Sequence, residues 1–292
     1  MAKKKVSKRK VLYWSVGIIL GIYAFSMLIP CWFLLINSFK SANDYLGTVQ
    51  FELSGGNEFS FPRQFIFNYK TASREAATLA GGTIVELYLN SIILTFVGMA
   101  LGVISTVMTA YACARFQFRG QGLIVGIGVG ALVFPDFGSA SVIYDFFVRT
   151  NLIETWGVLL PGLNPFGMMF LIVYGQFRSI SGTYAEAAKI DGASELRIMI
   201  QIMVPMIKGV IGMMIVMSTI GSWNNYYLSY MYLRSKPTIA YGMYKLMQSQ
   251  ELKNNVPMAC SIMVMCILPL VVLFVCMRDT IISNTAAGGL KG

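Results

Sequence analysis

The chain has 292 residues, of which 56% are hydrophobic and only 12% charged, and its formal net charge is +10. Soluble domains carry about 25% charged residues, so this composition argues against a soluble enzyme, a disordered chain and a nucleic-acid-binding domain. There is no histidine, which removes His-ligated metal sites and every Ser-His-Asp or Cys-His catalytic pair.

Charge parses the chain from its start. Residues 1–10 hold six Lys and Arg and read as a basic cytoplasmic tail; residues 11–39 then run without a charge. About 20 apolar residues in a helix cross roughly 30 Å of hydrocarbon, so 11–39 is the first expected span. It exceeds the about 7–15-residue apolar core of a signal peptide. We read it as an uncleaved anchor, kinked near Pro30. Residues 40–83, with Gly55-Gly56, Pro62 and Gly81-Gly82 as breakers, read as an external loop.

Four more uncharged runs follow, at 87–114, 155–177, 209–233 and 254–277, and the stretch 120–144 carries only Asp136. Lipid offers the backbone no hydrogen-bond partners, so each span must be helical, and the runs lack the alternation of a barrel strand. The expected fold is therefore all-α: a polytopic membrane protein with six transmembrane helices, its core over 84–278 and a tail over 279–292. Asp136 follows Pro135 in the third span. A carboxylate at mid-membrane costs about 2.5–3.5 kcal/mol, and such residues are functional candidates by default. Here a cavity acid and a partnered structural Asp at a Pro break both remain open. The five cysteines lie inside apolar runs with no CxxC and read as small hydrophobes, with no metal site among them.

Between the fourth and fifth spans, residues 178–208 form a charged loop. Thr183 and Glu186 stand in capping-box spacing, which predicts a helix starting at Thr183. Gly192 is its expected C′ breaker, and Asp191 is placed to help cap a second helix running from about Ala193 towards Pro205. The Ala187-Ala188 surface is small enough for close approach by another protein. A docking lever and an interfacial amphipathic helix both fit. In the fifth span Trp223-Asn224-Asn225-Tyr226-Tyr227 combines aromatic rings with amides. Pockets mix the two in this way, and so do aromatic belts at a membrane interface; we expect Trp223, Asn224 and Asn225 in a pathway and Tyr226 and Tyr227 in a belt. With the N-terminus placed inside, 14 Lys and Arg fall on the cytoplasmic side and 9 outside, which puts both termini in the cytoplasm.

The segment Glu186-Ala187-Ala188-x-x-x-Gly192, followed after nine residues by Ile202-x-Val204-Pro205, resembles the EAA motif of permeases in binding-protein-dependent ABC importers. It departs from the usual pattern only in Val204, where the family has Leu. Ala187 to Ser194 resembles the carbohydrate-uptake, maltose-type branch. Leu89-Asn90-Ser91, Ala110-Tyr111-x-x-Ala114-Arg115-Phe116-x-Phe118-x-Gly120, Gly221-Ser222-Trp223-Asn224 and the tail from Thr285 agree in order. The stretch from Pro237 to Gly242 looks closer to permeases for complex oligosaccharides.

The resemblance implies a type I ABC importer permease, not an enzyme. Its expected partners are a second homologous permease, two cytoplasmic ATPase subunits that hold ATP and Mg, an extracellular sugar-binding protein and the lipid bilayer. It makes 183–192 a coupling helix, with Glu186, Ala187, Ala188, Asp191, Gly192 and Pro205 as ATPase-coupling residues. In such a permease, Asp136, Trp223, Asn224 and Asn225, singled out above by their chemistry, are the candidates for contact with a carbohydrate. The chain itself has no GxxxxGK[ST] phosphate loop. A permease for a peptide, amino acid or anion is the nearer alternative. A secondary transporter is the more distant one, since those commonly show more spans and repeat symmetry.

Overall fold

A computed structural model describes residues 8–47, 63–133, 139–250 and 255–288. All regular structure among them is helical. The chain divides into two compact units, one of Met1–Ala76 with Lys245–Ile267, the other of Ala77–Tyr244 with Leu268–Gly292.

The first unit is led by α1, Lys8–Ser38, which contains Pro30 within a continuous helix. Its side chains from Tyr13 to Ile29 are exposed on this chain, including Trp14, Tyr23 and Phe25. Helix α2, Ala42–Gly47, and helix α3, Arg63–Ala80, follow. The expected external loop over 40–83 is thus partly helical: Pro62 and Gly81-Gly82 bracket α3 instead of breaking it. Asn68, buried on α3, donates from Nδ2 to the Ser38 carbonyl at 2.9 Å and the Lys40 carbonyl at 2.8 Å. It thereby satisfies carbonyls that the end of α1 leaves without helical partners.

The second unit is built on α4, Ile84–Arg115. Its start carries a complete capping box: Thr83 Oγ1 accepts from the Glu86 amide at 3.3 Å and Glu86 Oε2 accepts from the Thr83 amide at 2.8 Å. Helices α5, Gln121–Val133, and α6, Ser139–Arg149, come next. Gly128 brings α5 close to Phe166 and Phe170, whose rings a Cβ there would meet at 3.0 Å. Within the expected third span, 120–144, helix is described over 121–133 and from Ser139 onward, and Asp136 lies outside the described residues.

The expected fourth span is not one helix. A 3₁₀ helix over Trp156–Leu163 meets α7, Met168–Ser179, at 49°. Pro165 lacks an amide donor, and Gly167 at φ 149° adopts backbone that L side chains rarely take. Helices α8, Thr183–Ile190, and α9, Glu195–Met206, follow, α9 containing a π turn over Met199–Met203. The Val204 amide reaches back five residues to the Met199 carbonyl, and Pro205 then withholds its own donor. The chain turns through 84° at Ile207 into α10, Lys208–Trp223. Helix α10 ends ten residues before the expected limit of the fifth span, and short helices α11, Tyr226–Met231, and α12, Ile239–Gln248, follow it. Helix α13, Val256–Gly288, closes the described chain.

Tyr13–Ser38, Ile84–Arg115 and Val256–Arg278 are long and apolar enough to cross a membrane, and the two bent pairs raise the number to five. The sixth expected crossing falls on the 120–144 stretch, of which 134–138 lie outside the described residues. The core of the second unit gathers Tyr111 and Cys113 of α4, Phe170 and Phe177 of α7, Ala188 of α8, and Ile198 and Met203 of α9.

Candidate functional site

Helix α4 links two features of the second unit. Its C-terminal end packs with α8, and its N-terminal half lines a cavity. Thr95 and Tyr111 mark the two regions, 16 residues or roughly 24 Å apart at 1.5 Å per residue.

Helix α8 starts at Thr183 as the spacing predicts, but by another mechanism. Gly182 is the N-cap, and no side chain caps the helix; the Thr183 amide instead donates to Ser181 Oγ at 3.3 Å. Thr183 and Glu186 are shifted one position into the helix and cannot form the box. The far end follows expectation. Gly192 takes φ 79°, its amide donates to the Lys189 carbonyl at 3.0 Å, and the Ala193 amide donates to the Ala188 carbonyl at 2.9 Å. These two bonds are the paired closure of a Schellman turn. Asp191 is the C-cap of α8, while Ser194 caps α9 by accepting from the Arg197 amide. An ion pair from Lys189 to Glu195 spans the turn. The Glu195 carboxylate keeps Lys189 protonated to a higher pH than usual, by hydrogen bond first and charge second.

The two alanines expected to face a partner diverge. Ala188 is 8% exposed and packs into the core of its own chain. Ala187, Glu186, Asp191 and Gly192 are exposed. So are two large apolar residues the motif did not single out, Tyr184 and Ile190, the latter at 86%. Tyr184, Ala187 and Ile190 are spaced by three and share one helix face. Pro205 is exposed at the end of α9, where it acts on the bend. Arg115 ties α4 to this region: its Nη2 donates to the Ile180 carbonyl at 2.9 Å and lies 3.7 Å from Met203 Sδ.

At the other end lies a cavity of about 420 Å³, lined by Ser91, Thr95, Ser139, Ser222, Asn225, Tyr227 and Thr238 among the aliphatic and aromatic walls of Leu94, Phe147, Leu159, Trp223 and Tyr232. This volume is in the range of small-ligand sites, about 300–1,000 Å³. Trp223 is buried in the wall. Asn225 borders the cavity while its Oδ1 accepts from the Leu228 amide at 3.2 Å and so caps α11. Asn224 does not line the cavity; its Nδ2 donates to the Ile220 carbonyl at 3.0 Å, closing the end of α10. Tyr227, expected in an interfacial belt, lines the cavity, whereas Tyr226 stacks on Tyr244 at 4.4 Å.

Two stretches far apart in sequence meet here. Asn90 Nδ2 donates to the Pro237 carbonyl at 3.0 Å, and Ser91 Oγ accepts from the Ile239 amide at 2.8 Å while donating to the Leu87 carbonyl. The Asn90-Ser91 pair therefore clamps the backbone on both sides of Thr238. A hydroxyl inside an apolar run carries no periodic signal, so the two matching motifs were the only sequence clue.

A second fastening holds the cavity's rim. Glu154 sits at φ 62°, a conformation costing a non-glycine residue about 1 kcal/mol. Its carboxylate accepts from the Arg234 amide at 3.0 Å, the Ser235 amide at 2.9 Å and the Ser235 hydroxyl at 2.6 Å. Partial burial pushes the Glu154 carboxyl up, but the Ser235 hydroxyl, both amides and the Arg234 charge outweigh it and hold the group below its usual range. A lowered carboxylate stabilises the fold above its unfolded value, about 4.3, and loses that contribution as pH falls through the folded value. The melting temperature of wild type should exceed that of Glu154→Gln by about 2 °C near pH 7. That difference should start to shrink as pH falls below the unfolded value, about 4.3, and be gone only once the folded carboxyl is itself protonated; a pH-independent difference would show that the carboxylate's charge is irrelevant.

Comparison with known proteins bears on this arrangement. The family model described as binding-protein-dependent transport system inner membrane component matches residues 3–278. The melibiose/raffinose/stachyose import permease protein MelC of Bacillus subtilis (strain 168) is 25% identical over 281 residues, covering 95% of this chain and 96% of MelC. The diacetylchitobiose uptake system permease protein NgcG of Streptomyces coelicolor is 30% identical over 228 residues, covering 76% of this chain and 67% of NgcG. In fold, the chain matches one from the crystal structure of a bacterial ABC transporter involved in the import of the acidic polysaccharide alginate. The TM-score is 0.75 at 20% identity, over 95% of this chain and 99% of the other.

Proposed function

Because the chain belongs to the family of binding-protein-dependent transport system inner membrane components, a multi-pass membrane permease family, we propose that it forms half of the pathway of an ATP-driven oligosaccharide importer. The oligosaccharide is inferred from what MelC and NgcG are named for. In this reading both termini face the cytoplasm, a second permease completes the pathway, and an extracellular binding protein delivers the sugar. Two ATPase subunits supply the ATP and Mg chemistry that this chain does not.

The observation that carries the reading is the double attachment of α4. The outward face of α8, with Tyr184, Ala187 and Ile190, would dock on an ATPase subunit. Its inward face, with Ala188, packs among Tyr111, Phe177, Ile198 and Met203. Such a core is close-packed and transmits displacement rather than absorbing it. A shift of α8 would be passed to the end of α4 through that core and through Arg115. The other half of α4 carries Ser91 and Thr95 in the cavity wall, and Asn90-Ser91 would draw the Thr238 backbone along with them. ATP-driven closure would thus favour one cavity geometry over the other by differential binding.

The test is reconstitution. Proteoliposomes holding this chain, its partner permease and the ATPase pair should accumulate labelled raffinose-type oligosaccharide only with Mg-ATP and the binding protein present. Vanadate should stop accumulation. Uptake that persists in vanadate, or that prefers a peptide or amino acid, would contradict the proposal.

A further inference from the structure

Beside the C-terminal end of α4 lies a hollow of about 440 Å³, bordered by Arg115, Gln117, Gln121, Tyr174 and Arg178. Its charge is one-sided: two guanidinium groups and two amides, with no carboxylate among the lining residues. Glu186 and Glu195 line a different hollow, on which Arg115 also borders. Arg178 is held in place without an acid. Its guanidinium lies 5.7 Å from the Tyr174 ring centroid, and Nη1 donates to the Tyr174 hydroxyl at 3.3 Å. The ion pairs from Arg149 to Asp145 and from Lys189 to Glu195 involve neither of these arginines. Arg115 spends Nη2 on Ile180 and Met203, but its Nε is buried with no acceptor. A buried donor without an acceptor is a rare and costly arrangement.

A guanidinium presents five donors in a planar fork that fits phosphate oxygens. Helices α4 and α7 both end near the hollow, and a helix C-terminus carries roughly −0.5 charge. Two full positive charges outweigh two such partial negatives. Arg115 also marks the end of a candidate membrane span, the depth at which lipid headgroups lie. The space is ample for a phosphate and its hydration, at about 30 Å³ per water.

We propose that this hollow is an anion site that binds a phosphate group, either the headgroup of an anionic lipid or a free phosphate, between Arg115 and Arg178. Because Arg115 also holds the Ile180 carbonyl just ahead of α8, occupancy stiffens the joint between α4 and α8.

The test uses the purified importer assembly, as wild type, Arg178→Gln and Arg178→Lys. Native mass spectrometry reads retention of phosphatidylglycerol against phosphatidylcholine, and thermal shift reads titration with inorganic phosphate. Wild type and Arg178→Lys should hold the anion about tenfold more tightly than Arg178→Gln, the loss expected for one charge-assisted contact. Selective loss of phosphatidylglycerol identifies the lipid source, and loss confined to the phosphate response identifies the free anion. Equal binding by wild type and Arg178→Gln, or binding by neither, overturns the proposal. Should Arg178→Gln fail to fold, Gln117→Glu brings a carboxylate into the same hollow from an exposed position and should abolish binding to the same extent.

Discussion

Ile190→Glu is expected to leave the chain folded and inserted while cutting ATP-dependent uptake more than tenfold. Ile190 is 86% exposed, so the substitution should change the chain's own stability by no more than about 0.5 kcal/mol. An apolar side chain at the centre of a docked face typically costs about 2 kcal/mol or more when lost, about thirtyfold in an equilibrium constant. Uptake and sugar-stimulated ATPase activity in proteoliposomes, set against the amount of inserted chain, measure the two effects separately. Ala188→Arg cannot make this distinction. Ala188 is buried among Tyr111, Phe177 and Met203, and a guanidinium there would disrupt the core before it met any partner. Gly192 is intermediate: a Cβ would find open space, but φ 79° strains any other residue by about 1 kcal/mol, which would tilt the turn that aims α8.

Trp223→Ala is expected to be the most damaging change at the cavity. Trp223 lines both the cavity and an apolar hollow of about 360 Å³ bordered by Tyr88, Phe96, Leu273 and Met277. Thr95 borders both spaces. Truncation to Ala would join them and open the cavity's wall. It should lower stability by about 3–5 kcal/mol and reduce sugar uptake at least about tenfold. Trp223→Phe keeps a ring in the wall and should retain most of the uptake, and comparing the two per folded molecule isolates the wall from the fold. Unchanged sugar-dependent transport in Trp223→Ala would remove the cavity from the pathway.

What the sequence disclosed follows from the range of each signal. Uncharged runs of 23 to 29 residues mark crossings because a charge in hydrocarbon is costly wherever it sits. The bends at Gly167 and Ile207 were not marked, because they depend on how the helices on either side pack. The start of α8 and its Gly192 turn were legible, since both are local backbone requirements. The capping box was misplaced: the same Thr-x-x-Glu pattern forms one at Thr83 and not at Thr183, where Gly182 and Ser181 take over the end of the helix. At the cavity, the cluster of rings and amides drew attention to Trp223 and Asn225. Asn224 sits beside them in sequence but turns back onto α10. Ser91 and Thr238 lie in two of the matching stretches, but their meeting at the cavity was not legible, because the bond that brings them together, from Ile239 to Ser91, joins residues 148 positions apart, and no local pattern records such a contact.

The most direct measurement is a crosslink from α8. With the native cysteines replaced, Ile190→Cys should form a covalent pair with an ATPase subunit in the assembled importer, at a yield that changes between nucleotide-free and ATP-trapped states. A position buried against the chain itself, Ala188→Cys, should not. If the thiol of the Ile190→Cys variant instead reacted fully with a water-soluble maleimide in both states and captured no subunit, α8 would face solvent, and force could not pass from ATP hydrolysis to α4 by this route.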